Sequence, residues 1–266
     1  MVRKPSRAAE DALIEAQDLA FEAWEATTAA RRRALANKAL ALSPLCADAY
    51  NILAGEARAG SDDQLDLWRR GVAAGEEALG KKVFEEMAGH FWGFLESRPY
   101  MRARFGLATA LWERGTHDEA IDHARSMLAL NPDDNQGIRY SLAAWLAERE
   151  RDGDLEALLA DYADEYSAFW GWTKALLAFR KSGDAPESRK QLAEAVEINA
   201  HVRDYLCGNK PMPRRLPSYY SPGDPSEALF YIEGFRAAWQ RTTGALDWLR
   251  GRLPAAKKSA RRKTVH

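Results

Sequence analysis

Apolar positions recur at spacings of three and four along nearly all of this 266-residue chain. That period predicts amphipathic helices from end to end. Ala, Leu, Glu and Arg dominate and β-branched residues are sparse, so the fold class expected is all-α with no sheet. After Leu206 the pattern breaks: Pro211, Pro213, Pro217, Pro222 and Pro225 exclude helix and predict a connector. A helix from about 225 to 241 follows, with Ala228, Ile232, Phe235 and Trp239 on its apolar face. A short last helix is expected around 244 to 250. Together these would cap the open end of a helical stack.

The helical part repeats. "ALALSP" ends at Pro44, "MLALNP" at Pro132 and "AVEINA" at Ala200. The second interval is twice the roughly 34-residue period of tetratricopeptide (TPR) repeats, and the first exceeds two periods by about 20 residues. The repeat pattern fits best at Arg104, Leu107, Ala108 and Leu111, followed by Gly115, Ala120, Ala124, Met127 and Pro132. Ala108 and Ala120 fall where the two helices of a unit cross, and bulk there would push them apart. Similar units start near Ala16, Tyr50, Arg139 and Trp172. Over roughly 9–200 the chain resembles the tetratricopeptide-repeat family. The resemblance implies a TPR-type helical-hairpin solenoid of about five units.

Three segments carry a second, narrower resemblance: "ALALSPLCADAYNILAGEARAG", "AEAVEINAHVRDYL" and "GDPSEALFYIEGFRAAWQRTTGALDWL". They look like the soluble repeat region of the suppressor-of-tumorigenicity seven family and its bacterial relatives. That family usually has Asn-Pro-His-Val where this chain has Ala200 in place of the proline. The resemblance brings no catalytic residue and no ligand.

The surplus between the first two repeat ends falls on "GHFWGFLESRPYMRARF" (89–105), which is dense in aromatic rings and arginine. Phe84, Met87, Phe91 and Leu95 lie on one helical stripe and predict an inserted amphipathic helix near 80–97. Ser97 is a candidate cap for the next helix, with Pro99 in its first turn. In that helix Arg98, Arg102, Phe105, Thr109 and Trp112 form a second stripe, separate from the core stripe. The expected organisation is a flexible N-terminus (1–8), a solenoid (9–200), a proline-rich connector with capping helices (201–252) and a disordered basic tail (253–266).

Composition adds bounds. The net charge is −1, which argues against nucleic acid held by bulk charge, although Lys257, Lys258, Arg261, Arg262 and Lys263 make the tail basic. Cys46 and Cys207 fit no ligand or redox spacing and are expected as free thiols of a reducing compartment. No stretch is long and apolar enough for a membrane span, and no leader-like run follows the first residues. The expectation is therefore a cytoplasmic protein without membrane contact. His117 and His123 are six apart, wrong for a helical metal pair. "NPDDNQGIRY" lacks the glycines of a phosphate loop and the acid spacing of a calcium loop; Asp133 or Asp134 is expected to cap a helix there. No metal, cofactor or catalytic set is expected, and the chain is read as not an enzyme.

What remains is an interaction surface. In tetratricopeptide proteins the first helix of each unit lines the concave groove. Laid on that pattern, Asn51 and Arg58 come from the second unit and Arg102, Phe105, Thr109 and Trp112 from the third. Tyr140 comes from the fourth, and Trp170, Arg180 and Lys181 from the fifth. The expected function is a non-catalytic scaffold that binds an extended acidic segment of a protein partner. An apolar anchor would meet Trp112 or Tyr140, and carboxylates would meet Arg102 and Arg180. The alternative is an RNA- or DNA-binding solenoid. The pattern does not name the partner or the oligomeric state.

Overall fold

Short polar side chains start several helices of the computed structural model, which describes residues 6–252. Ser6 Oγ accepts from the Ala9 N–H, Thr28 Oγ1 from Arg31 and Ser61 Oγ from Gln64, each filling an amide that the first turn leaves unpaired. The described residues form thirteen α-helices and no strand. The first six are α1 (Arg7–Glu25), α2 (Ala29–Leu42), α3 (Ala47–Glu56), α4 (Asp62–Glu86), α5 (Arg98–Glu113) and α6 (His117–Leu130). Then come α7 (Ile138–Glu148), α8 (Asp152–Asp161), α9 (Ala168–Ser182), α10 (Pro186–Ile198), α11 (His201–Leu206), α12 (Pro225–Arg241) and α13 (Ala245–Arg252).

The chain divides into two compact units, Met1–Leu142 and Ala143–His266, with the division inside α7. In the first, α1 packs on α2, α3 on α4 and α5 on α6, while α1, α3 and α5 also touch in succession. Small residues make these crossings close: Ala16, Ala20, Ala36, Ala39, Ala108, Ala120 and Ala124 are fully buried. Gly75 marks a close approach of two backbones. A Cβ there would lie 2.7 Å from Tyr100 Cβ and 3.0 Å from its Cα, so α4 and α5 meet backbone to backbone.

In the second unit α9 packs on α10, and α12 lies against α9 and α11. Ala228, Ile232, Phe235 and Trp239 are all buried, joined by Tyr231. Burial pushes the Tyr231 hydroxyl far up from its ordinary range, and it accepts from Trp239 Nε1 at 2.8 Å. The buried Glu227 is the polar centre here. Its carboxylate accepts from the Ala168 and Gly223 N–H groups at 2.9 and 2.8 Å, and from Asn199 Nδ2 at 2.9 Å. Two of the three segments that carry the narrower resemblance are therefore joined through Asn199 and Glu227.

Three expectations need correction. There is no continuous inserted helix near 80–97. Gly80 takes φ 68°, a left-handed conformation that favours glycine, and breaks α4 before its last turn and a half. From Phe91 to Ser97 the chain makes two short 3₁₀ turns. Phe84, Phe91 and Tyr100 still pack, with ring centroids 4.9 to 6.0 Å apart, but Leu95 is 64% exposed. Ser97 does not cap α5 with its side chain; its hydroxyl turns back and donates to the Phe91 and Phe94 carbonyls. At the other end, α1 begins at Arg7, inside the expected flexible N-terminus. The basic tail from 253 onward lies outside the described residues.

Two measurements check this packing. Gly75→Ala is expected to destabilise the first unit by about 1–3 kcal/mol, because the added methyl meets backbone; a urea midpoint unchanged from the parent would contradict the contact. The second involves His123, whose Nδ1 accepts from Arg104 Nε at 3.2 Å. Burial, helped by Arg104, holds its pKa below the ordinary 6.5, against the opposing pull of Glu119 and Asp122. The unfolded chain then binds the proton more readily, so stability is full above pH 6.5 and falls as the pH drops from there through the folded pKa. His123→Gln keeps an acceptor for Arg104 and is expected to flatten the melting temperature across that window.

Candidate functional site

Asp48 is wholly buried in the first unit, near the start of α3. A buried carboxylate needs strong partners. Arg102 Nε and Nη2 from α5 reach it at 2.9 and 2.5 Å, Gln17 Nε2 from α1 at 2.8 Å, and Asn51 Nδ2 at 3.0 Å. Asn51 also donates to the Pro99 carbonyl at 2.9 Å. One carboxylate thereby ties together α1, α3 and α5.

Beside this network lies a cleft of about 430 Å³. Ile14 and Phe21 of α1 form one wall, Gly75 and Ala78 of α4 the back, and Leu95 and Pro99 the other wall, with Gln17 and Arg102 among the lining residues. Its lining is mostly apolar, and two large apolar side chains in it are open: Ile14 is 62% and Phe21 54% exposed. Such a combination of apolar walls and few polar groups is how binding sites are usually built.

The sequence-predicted groove is only partly an open surface. Asn51 is buried and spent on Asp48 and Pro99. Arg58 is exposed but lies beyond α3, which ends at Glu56. Arg102 lines the cleft, yet its guanidinium faces Asp48 and its side chain is only 33% exposed. Thr109 donates to the Phe105 carbonyl of its own helix, and Trp112 packs on His117 with centroids 4.3 Å apart. Tyr140 lies under the Arg139 guanidinium, 4.4 Å from its ring centroid.

In the second unit Trp170 is buried, not displayed. Arg180, with its side chain 8% exposed, is bonded inward to Asp152 at 2.7 Å, Thr242 at 2.8 Å and the Ala147 carbonyl at 2.8 Å. A cation at helix ends is well placed to satisfy such carbonyls, which explains its burial. Lys181 is exposed and pairs with Glu156 at 3.4 Å. The carboxylate role foreseen for Arg102 and Arg180 is therefore corrected: both guanidinium groups already hold acids of their own chain.

The rest of the expected chemistry is quiet. Asp134, not Asp133, caps α7, accepting from the Ile138 and Arg139 N–H groups at 2.7 and 2.9 Å. Among the described residues no His, Cys, Asp and Glu side chains gather into a metal set, and no helix is long and apolar enough to cross a membrane. Burial pushes the Cys46 thiol up to about 11, so it stays protonated and a poor nucleophile. Sequence reasoning missed the α1 wall. Its signal was present: Ile14, Phe21 and Trp24 are large apolar residues off the alanine stripe that α1 buries.

Arg102→Glu would set a second carboxylate against buried Asp48. It is expected to cost about 2–4 kcal/mol, less than full removal of a deeply buried pair because Arg102 is partly open. Pairing Asp48→Asn with Arg102→Gln should recover much of that loss. Urea unfolding of the single and double variants measures it; a single variant as stable as the parent would show the pair to be idle.

No family model matches the chain, and no solved structure matches it. It is distantly similar to two curated proteins. One is "Protein ST7 homolog" of Drosophila pseudoobscura pseudoobscura, 27% identical over 264 residues, which cover 90% of this chain and 48% of that protein. The other is "Protein ST7 homolog" of Caenorhabditis elegans, 28% identical over 267 residues, covering 85% and 48%. The chain spans about half the length of these relatives, and the similarity runs over most of it.

Proposed function

We propose that the chain is a non-catalytic protein-interaction module of tetratricopeptide type, and that the cleft beside α1 receives a segment of a partner protein. The observation that carries this reading is the cleft itself: about 430 Å³, with Ile14, Phe21 and Leu95 more than half exposed around it. Large apolar side chains clustered at a concave surface mark a place where another surface docks. The successive contacts of α1, α3 and α5, each backed by its own partner helix, support the solenoid reading, because stacked hairpins bring first helices side by side. Free Cys46 and Cys207 support a reducing, cytoplasmic setting.

A displayed peptide library selected on the protein tests this. Recovered peptides are expected to bind with micromolar affinity and to lose about ten-fold or more when Phe21→Ser and Leu95→Ser are combined. Both positions are exposed, so the melting temperature should stay close to the parent's. If selection returns no peptide that depends on these two residues, the cleft is not a peptide site. If instead the protein retards single-stranded RNA or duplex DNA in a gel at low salt, the nucleic-acid reading takes its place.

A further inference from the structure

Helix α1 has two apolar faces. Ala16, Ala20 and Ala23 are fully buried against the rest of the unit. Ile14, Gln17, Phe21 and Trp24 follow one another at spacings of three, four and three, the spacing of a seam that receives a second helix. On that seam Ile14 is 62%, Phe21 54% and Trp24 50% exposed. Leu13 and Leu19 pack beside these alanines, while the larger Ile14, Phe21 and Trp24 stay outside. From Ile14 to Trp24 the seam extends over about 15 Å.

The rim of this seam is acidic. Glu10, Asp11, Glu15, Asp18, Glu22 and Glu25 are all exposed, against a single basic residue, Arg7. Among the described residues none of these six acids lies within ion-pairing distance of a Lys or Arg. On the helical wheel Asp11, Asp18 and Glu25 border the seam on the side away from the core. The opposite wall of the cleft does not neutralise them. Arg102 is held by Asp48, and Arg98 donates to the Trp92 carbonyl at 3.0 Å with its guanidinium over the Trp92 ring. Glu96 is exposed and adds another negative charge to that wall.

We infer that the α1 seam docks an amphipathic helix of a partner whose apolar stripe is flanked by lysine or arginine. The inference rests on the interaction-module reading and gives the partner's chemistry. A second copy fits poorly, because α1 facing α1 would bring six more acids against the first six. The chain's own basic tail fits poorly too: from 253 to 266 its larger apolar residues are Leu253 and Val265, at opposite ends and too few to fill the seam. A partner with basic flanks brings both the apolar stripe and the opposite charge.

Two designed helical peptides with the same leucine stripe, one flanked by lysine and one by glutamate, test the inference by fluorescence anisotropy on the full chain. The lysine peptide is expected to bind about ten-fold tighter at low salt and to lose most of that margin at high salt, as exposed charge pairs do. The triple variant Asp11→Lys, Asp18→Lys, Glu25→Lys changes only exposed positions and should invert the preference. A glutamate peptide that binds as well as the lysine peptide overturns the inference, as does a preference that survives the triple variant. So does dimerisation that depends on Phe21, read by analytical ultracentrifugation. If neither helix binds while selected library peptides still need Phe21 and Leu95, the helical basic partner is wrong and the interaction module stands. If the library also returns nothing, both fall.

Discussion

A single buried carboxylate holds the first unit in its form. Asp48 has no contact with solvent, and its charge is bearable only because α1, α3 and α5 each send it a donor. The requirement runs both ways. The carboxylate fixes where Gln17 and Arg102 must sit, and these residues fix where α1 and α5 stand beside the cleft. A bidentate Arg–Asp pair with an amide on either side adds a directional constraint that apolar packing alone does not supply.

The second unit solves the same problem twice with other residues. Glu227 accepts three N–H donors from α9, the connector and Asn199, and among the described residues no basic side chain shares its hydrogen bonds. Arg180 does the complementary job for carbonyls at the ends of α7 and α12. In both units the polar side chains that look most functional in the sequence are those that tie helices together. The open apolar surface is elsewhere, on α1, whose acidic exterior leaves a seam of Ile14, Phe21 and Trp24 without cover in the described chain.

The chain aligns with 48% of each relative. A helix that buries alanines and presents a tryptophan and a phenylalanine to water is costly to keep in isolation, at about 25 cal/mol for each Å² of apolar area left wet. Covering that area would recover the energy.

Period and punctuation alone determined the helical class, the proline connector, the helix from 225 to 241 and the crossing alanines Ala108 and Ala120, because these follow from local spacing and backbone restriction. Local rules misjudged 80–97, where the glycine at 80 and the Ser97 hydroxyl outweighed an apolar stripe. The stripe of Arg102 and Arg180 was legible as well, but its direction was not. Whether an arginine points to solvent or into its own chain depends on an acid far away in sequence, Asp48 for one and Asp152 for the other. Only the tertiary structure brings those carboxylates within reach, and with them it decides that the arginines are struts and that the open face belongs to α1. A helical period says which residues share a face; which of two apolar faces finds a partner is settled only when the other helices have taken their places.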